Sequence, residues 1–268
     1  MLSVCATPIG NLDDVTLRVL EELRGADVVL CEDTRRTKIL LDRHSIAARL
    51  LSYQRHNEAS RTAELVPRLV GGERVALVSD AGLPGVNDPG ARLIAAALEA
   101  GVPVTVLPGP SAVETALVAS GLGAERYQFL GYLPRGESAL DALGDELARW
   151  PHAAVAFESP QRIADSLVRL GRGLGERPVA VCRELTKRFE EVVRGSAPEV
   201  ADRLRKPVKG EITLVVGPAE VVAAPAEEEA AASAVAELVA AGIGRRAAAD
   251  LVSRLTGVSR NTLYRGSL

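Results

Sequence analysis

Five short apolar runs, each followed by an amphipathic stretch, fill the first 110 residues: 2–6, 28–31, 50–53, 75–79 and 104–107. Runs this short are the length of strands covered on both faces, and too short for helices that bury one stripe. Their alternation with helical patterns predicts a mostly parallel sheet with helices on both sides. The clearest helix is expected over 89–100, with Pro89 in its first turn, Leu93, Ile94, Ala97 and Leu98 on one face, and Gly101 as its stop. A second series of strands is expected at 127–131, 153–157, 179–182, 190–195 and 211–216, with helices over 138–149 and 161–172. It reads as a second α/β domain. After Pro218 the composition turns to Ala and Glu; 223–232 reads as a linker entering a helix, and everything from 233 onward reads helical. The expected organisation is an α/β domain over 1–116, a second over 117–220, and a small helical module over 221–268 of loose helix-turn-helix character.

A chain of 268 residues that is 47% hydrophobic can bury the cores of two compact domains. Its 32 Lys and Arg against 35 Asp and Glu give a net charge of −3, so no overall basic field draws it to nucleic acid, and any such contact must come from local charge. Cys5, Cys31 and Cys182 are far apart, show no C-x-x-C spacing, and read as buried, reduced thiols. The chain starts without the basic and long apolar segments of a signal peptide, and no run approaches membrane-spanning length. A soluble cytoplasmic protein is expected. His44, His56 and His152 lack metal-ligand spacing, so no metal site is expected.

Two common nucleotide motifs are missing. There is no G-x-x-x-x-G-K-[ST], and Gly171, Gly173 and Gly175 follow a helix and precede a strand, the reverse of a dinucleotide fingerprint. They read as a helix stop and loop. Three other loops are placed correctly: Thr7-Pro8-Ile9-Gly10-Asn11 after the first strand, the segment from Asp80 to Gly90 after the fourth, and Pro108-Gly109-Pro110-Ser111-Ala112 after the fifth. All three should share the carboxyl-end rim of one sheet, where backbone amides and helix N-termini converge on ligands.

These loops, with E-D-T-R (Glu32 to Arg35), S-D-A-G (Ser79 to Gly82), G-Y-L-P-R (Gly131 to Arg135), E-S-P-Q-R (Glu158 to Arg162), C-R-E-L-T-K (Cys182 to Lys187) and K-G-E (Lys209 to Glu211), carry a resemblance. From about residue 3 to 216 the chain resembles the small-subunit ribosomal-RNA 2′-O-methyltransferase I family of the tetrapyrrole-methylase superfamily. Leu83 stands where many relatives have Thr, and Gln161 where His is frequent. The resemblance implies two α/β domains of the class III methyltransferase type. It also implies S-adenosylmethionine as cofactor, touched by Pro8, Asp80, Gly82, Leu83, Val86, Ser111, Ala112, Phe157, Glu211 and Ile212. The implied reaction is methylation of a cytidine ribose 2′-hydroxyl in the decoding region of 16S rRNA, on the assembled small subunit, by a homodimer.

Most of the rate of such a transfer can come from alignment, worth up to about 7–11 kcal/mol, and a general base adds about 10²–10⁴-fold. Asp33, Glu58, Glu184 and Lys187 are the candidate catalytic groups; each is equally a candidate ion-pair partner. For RNA phosphate the candidates are Arg35, Arg36, Lys38, His56, Arg135, Arg183, Lys187 and Arg188. Residues 183–209 hold eight basic groups, Lys206 among them, against five acidic ones. Two other functions fit parts of the pattern: the same chemistry on a tetrapyrrole or other small molecule, and a nucleic-acid-binding regulator acting through its tail.

Overall fold

The computed structural model describes residues 1–123, 125–205, 209–219 and 225–266. The first half runs β1 (Leu2–Cys5), α1 (Leu17–Gly25), β2 (Val28–Cys31), α2 (Thr34–Arg43), β3 (Leu50–Ser52), α3 (Glu58–Val70), β4 (Val75–Val78), α4 (Ala91–Glu99), β5 (Val104–Leu107) and α5 (Ala112–Ser120). The five strands form one wholly parallel sheet in the order β3-β2-β4-β1-β5. Because successive side chains alternate between faces, Leu2, Val28, Leu30, Val75 and Leu77 enter one core while Cys5, Val29, Cys31, Ala76 and Val78 enter another. Burial on both sides is why β1, β2 and β4 read as apolar runs; the edge strands depart from the expectation, with β3 half-buried and Val106 of β5 exposed, because an edge strand has a neighbour on one side only. All three thiols are buried and unbridged; burial pushes Cys5 up to about 12 and Cys182 up to about 11, so neither is a nucleophile.

The second half runs β6 (Tyr127–Tyr132), α6 (Glu137–Arg149), β7 (Ala153–Glu158), α7 (Ile163–Leu174), β8 (Pro178–Arg183), β9 (Glu191–Ser196), α8 (Ala197–Arg203) and β10 (Ile212–Val216). Its sheet is mixed. β6 and β7 are parallel, and β10 inserts between β7 and β8 antiparallel to both, giving β6-β7-β10-β8-β9. One face packs on α6, α7 and α8. The other is covered by α5, whose Val113 and Ala116 join Val155, Ala180 and Val215, and the core also takes Ile9 from the loop after β1. The expected division at 116/117 therefore falls inside a helix that leaves the first sheet and roofs the second. The two sheets form one compact unit, Met1–Leu147 with His152–Pro218.

Three sequence expectations need correction. The helix expected over 89–100 starts at Ala91, because Gly90 sits at φ 141 as its N-cap. The glycines expected to stop the helix over 161–172 do not all do so: Gly171 and Gly173 lie within α7, and Gly175 caps it. Gly173 serves a close approach, since a Cβ there would lie 2.5 Å from the carbonyl carbon of Gly144 in α6. Residues 225–232, expected as linker, belong to α9 (Pro225–Ala240); the rest of that expectation, 223–224, lies outside the described residues.

With α10 (Arg245–Thr256) and α11 (Arg260–Gly266), α9 builds a second compact unit, residues 148–151 with 219–268. Its own core is Ala231, Val235, Ala248, Ala249, Val252, Val258 and Leu263. Left-handed Gly257 ends α10 and makes the tight turn into α11.

Candidate active site

The carboxyl ends of β2, β4 and β1 lie side by side, so the residues that follow them meet. Thr7 and Gly82 form a two-way backbone bridge, Thr7 N to Gly82 O at 2.8 Å and Gly82 N to Thr7 O at 3.0 Å, clipping the loop after β1 to the loop after β4. Asp33 N donates to Asp80 Oδ1 at 3.1 Å and Arg36 Nη1 lies 3.4 Å from Asp80 Oδ2, tying the end of β4 to the start of α2.

Over this rim a cavity of about 460 Å³ opens between the two sheets. Ile9, Glu32, Arg36, Asp80, Ala81, Asn87, Asp88 and Ala112 line it from the first half of the chain. Tyr132, Phe157, Glu158, Glu211, Ile212 and Thr213 line it from the second sheet. An adjoining cavity of about 200 Å³ reaches Pro8, Gly10, Thr37, Leu40 and Lys187 and shares Asp80, Arg36 and Glu211. The far wall is aromatic, with Phe157 packed edge-on between Phe129 at 5.0 Å and Tyr132 at 5.6 Å. Tyr132 is 66% exposed, although it borders the cavity.

The electrostatics are acidic. Burial, then the negative charges of Asp88 and Asp80, raises Glu32 to about 7. Burial and Asp80 raise Asp88 to about 6, with Arg55 opposing. Glu32 Oε1 and Asn87 Nδ2 are cut off from water and have no hydrogen-bond partner among the described residues. Groups left unsatisfied in a cavity are what a ligand completes.

Of the ten residues expected around the cofactor, Pro8, Asp80, Ala112, Phe157, Glu211 and Ile212 line one or both cavities. Gly82, Leu83, Val86 and Ser111 do not. Gly82 is held in the bridge to Thr7, Val86 is exposed, and Ser111 donates to Glu114 within the first turn of α5.

The four expected catalytic groups each have partners of their own, and of them Lys187 lines the smaller cavity. Asp33 caps α2 by accepting from Arg35 N at 2.8 Å, and this bond holds its carboxyl below the usual range. Glu58 accepts from Gly90 N at 3.0 Å and Tyr53 Oη at 3.2 Å, anchoring the loop before α4. Glu184 Oε1 takes Lys187 Nζ at 2.9 Å and Glu211 N at 3.0 Å; the lysine bond lowers its pKa. Burial pulls Lys187 down, but its bonds to Glu211, at 2.7 Å, and Glu184 outweigh this and leave it raised. A depressed carboxyl and a doubly paired ammonium are poor proton acceptors at neutral pH.

The expected RNA groups divide similarly. Arg36 turns into the cavities, Arg183 pairs with Glu191 at 2.9 Å, and Lys187 is clamped. Arg35, Lys38, His56, Arg135 and Arg188 are exposed; Arg188 makes no ion pair among the described residues and lies 5.6 Å from the Phe189 ring centre. Lys206 lies outside the described residues. Of four non-glycine residues described at positive φ, Asn87 lines the larger cavity, Glu184 bonds to Lys187 and Glu211, and Thr186 lies beside Lys187. Strain of this kind persists where surrounding structure over-determines the backbone. Sequence reading passed over Glu32 and Asp88 as site residues, although both lie inside motifs it quoted. For Glu32 the signal available was an acidic residue directly following an apolar strand.

Residues 1–201 match the model of the Tetrapyrrole (Corrin/Porphyrin) Methylases. A protein of Micromonospora olivasterospora named Ribosomal RNA small subunit methyltransferase I is 45% identical over 98% of this chain and 85% of its own length. One of the same name from Mycobacterium bovis is 46% identical over 97% and 91%. The chain belongs to the tetrapyrrole methylase family, in its ribosomal RNA small subunit methyltransferase I branch. It is a methyltransferase. The fold agrees: uroporphyrin-III C-methyltransferase of Thermus thermophilus, complexed with S-adenyl homocysteine, superposes with a TM-score of 0.57 at 18% identity, covering 80% of this chain and 96% of that one. Family members thus share the two-sheet architecture that frames this cavity.

Proposed function

We propose that the chain transfers the methyl group of S-adenosylmethionine to the ribose 2′-hydroxyl of a cytidine in the decoding region of small-subunit (16S) rRNA. The observation that carries the reading is the make-up of the cavity. S-adenosylmethionine bears positive charge at its sulfonium and ammonium and an apolar, flat adenine. The cavity offers Asp80 and Asp88 to the cations, Arg36 to the carboxylate, and Ala81, Ala112, Phe157 and Ile212 to the adenine. Asn87 Nδ2 is an unspent donor beside them. At about 460 Å³ the volume is that of a small-molecule site. When bound, the cofactor supplies an electrophilic methyl group. The residues bind and orient, with Asp80 fixed by Asp33 N and Arg36.

The RNA side of the reading rests on the branch to which the chain belongs and on the exposed Arg35, Lys38, His56, Arg135 and Arg188. Phosphate contacts from such groups position RNA without reading its sequence. The reading also takes the protein as a cytoplasmic homodimer and its cavity as the seam between the two sheets of the larger unit.

The test is to map ribose methylation on 16S rRNA from cells with and without the protein, and to offer the purified protein labelled S-adenosylmethionine with small subunits or with porphyrinoids. Label at one cytidine ribose is expected. Label on a porphyrinoid and none on RNA overturns the reading.

A further inference from the structure

A ribose hydroxyl must give up its proton as it is methylated, and Asp33, Glu58, Glu184 and Lys187 already hold backbone, hydroxyl or ion-pair partners. We propose that Glu32 is the proton acceptor for the 2′-hydroxyl, an inference that rests on the function proposed above. Glu32 is the first residue after β2, at the carboxyl edge of the parallel sheet, and its side chain lines the larger cavity. Its backbone is pinned there by Gln54 Nε2, which donates to the Glu32 carbonyl at 2.7 Å. Its Oε1 is shut off from water and has no partner among the described residues. Asp80, in contrast, has one oxygen on Asp33 N and the other facing Arg36.

The charged and titratable groups that face Glu32 are Asp80 beyond β4, Asp88 in the loop before α4, Arg55 beyond β3 and Tyr132 on β6. Burial and the two aspartates keep its pKa near 7, so at neutral pH a large share is ionised and able to receive a proton, the best compromise for a general base. In the step, the hydroxyl O–H bond breaks and its pair stays on oxygen. That oxygen bonds to the methyl carbon, and the carbon–sulfur bond breaks with its pair on sulfur, cancelling the sulfonium charge. The proton ends on the Glu32 carboxylate and passes to water.

Single-turnover methylation of small subunits, followed across pH, tests the assignment together with calorimetric binding of S-adenosylmethionine. In the wild type the rate should fall as pH drops through about 7. Glu32→Gln, close in shape and free of the buried charge, should fold with a melting temperature no lower than the wild type, bind the cofactor with unchanged affinity, lose about 10²–10⁴-fold in kcat and lose the acid limb. Asp88→Asn should shift that limb to lower pH by removing a negative neighbour. A Glu32→Gln enzyme with wild-type kcat and limb overturns the proposal, as does one whose cofactor affinity falls in step with its rate. A limb that vanishes in Asp88→Asn but persists in Glu32→Gln moves the role to Asp88. If the wild type methylates no rRNA, the proposed function falls and takes this inference with it; an active wild type with an unaffected variant removes the inference alone.

Discussion

Asp80 shows how one side chain serves both fold and ligand. Its Oδ1 accepts from Asp33 N and its Oδ2 faces Arg36, yet the carboxylate still borders both cavities. Asp80→Asn retains an oxygen for Asp33 N but removes the charge offered to a cationic ligand. A charge-assisted hydrogen bond contributes about 1.5–3 kcal/mol, so calorimetry should show S-adenosylmethionine affinity down by about one to two orders of magnitude in a folded variant. Unchanged binding would remove Asp80 from the proposed cofactor contacts. Glu158 and Arg162 have a different role. They form a 2.6 Å pair whose glutamate is nearly fully buried and also takes Ser166 Oγ at 2.7 Å, while Arg162 donates to Pro134 O at 2.9 Å. E-S-P-Q-R is thus chiefly a brace between two motifs.

At the level of elements, the constraint is how closely backbones approach. Gly10 lies under the segment between β8 and β9: a Cβ there would lie 2.5 Å from Lys187 Cγ and 2.7 Å from Leu185 O, and Asn11 N donates to Thr186 Oγ1 at 2.9 Å. The first loop is therefore locked onto the second sheet at the mouth of the cavity. Gly173 does the same work between α6 and α7, where the obstacle is Gly144 backbone at 2.5 and 2.6 Å and cannot rotate away. Gly173→Ala should push the two helices apart and cost about 1–3 kcal/mol, the usual penalty for overpacking. Urea denaturation should show a lowered midpoint with an unchanged slope. A midpoint at or above the wild type would mean that the helices separate freely, and the close approach would lose its significance.

For the whole molecule, the acidic cavity makes stability depend on pH. Glu32 and Asp88 stand at about 7 and about 6, above the 4.5 and 3.8 of free side chains, so between those values the folded chain holds protons that the unfolded chain has released. Their contribution is complete below the free-carboxylate range and is lost as pH rises through about 6 to 7. The lowered carboxyls, Asp33, Glu64, Glu73 and Glu184 among them, lose their contribution only in more acidic solution. The melting temperature of the cofactor-free protein should therefore fall from about pH 5 to about pH 7.5, and Glu32→Gln with Asp88→Asn should flatten the fall. A wild-type profile that is flat or rises across that window would contradict the buried-carboxylate account.

What the sequence by itself determined was set by local periodicity and by motifs. Apolar runs reported the strands, the central three of them covered on both faces, and the loops after β1, β4 and β5 could be placed on one rim because a parallel sheet sends every carboxyl end the same way. The motifs were distinctive enough to point to the family. Tertiary structure alone decided the rest. That β10 enters between β7 and β8, that α5 covers the second sheet, and that Gly171 and Gly173 serve packing rather than termination all depend on partners far away in the chain. The roles of the charged groups depended on the same thing. Asp33, Glu58, Glu184 and Lys187 are candidates by residue type in one dimension, and only the structure gives them their partners: a cap, backbone and hydroxyl donors, and ion pairs; Glu32, one residue before Asp33, is left with an unsatisfied oxygen beside two other carboxylates. A pKa follows from burial and from neighbouring charge, and both are set only when distant segments meet.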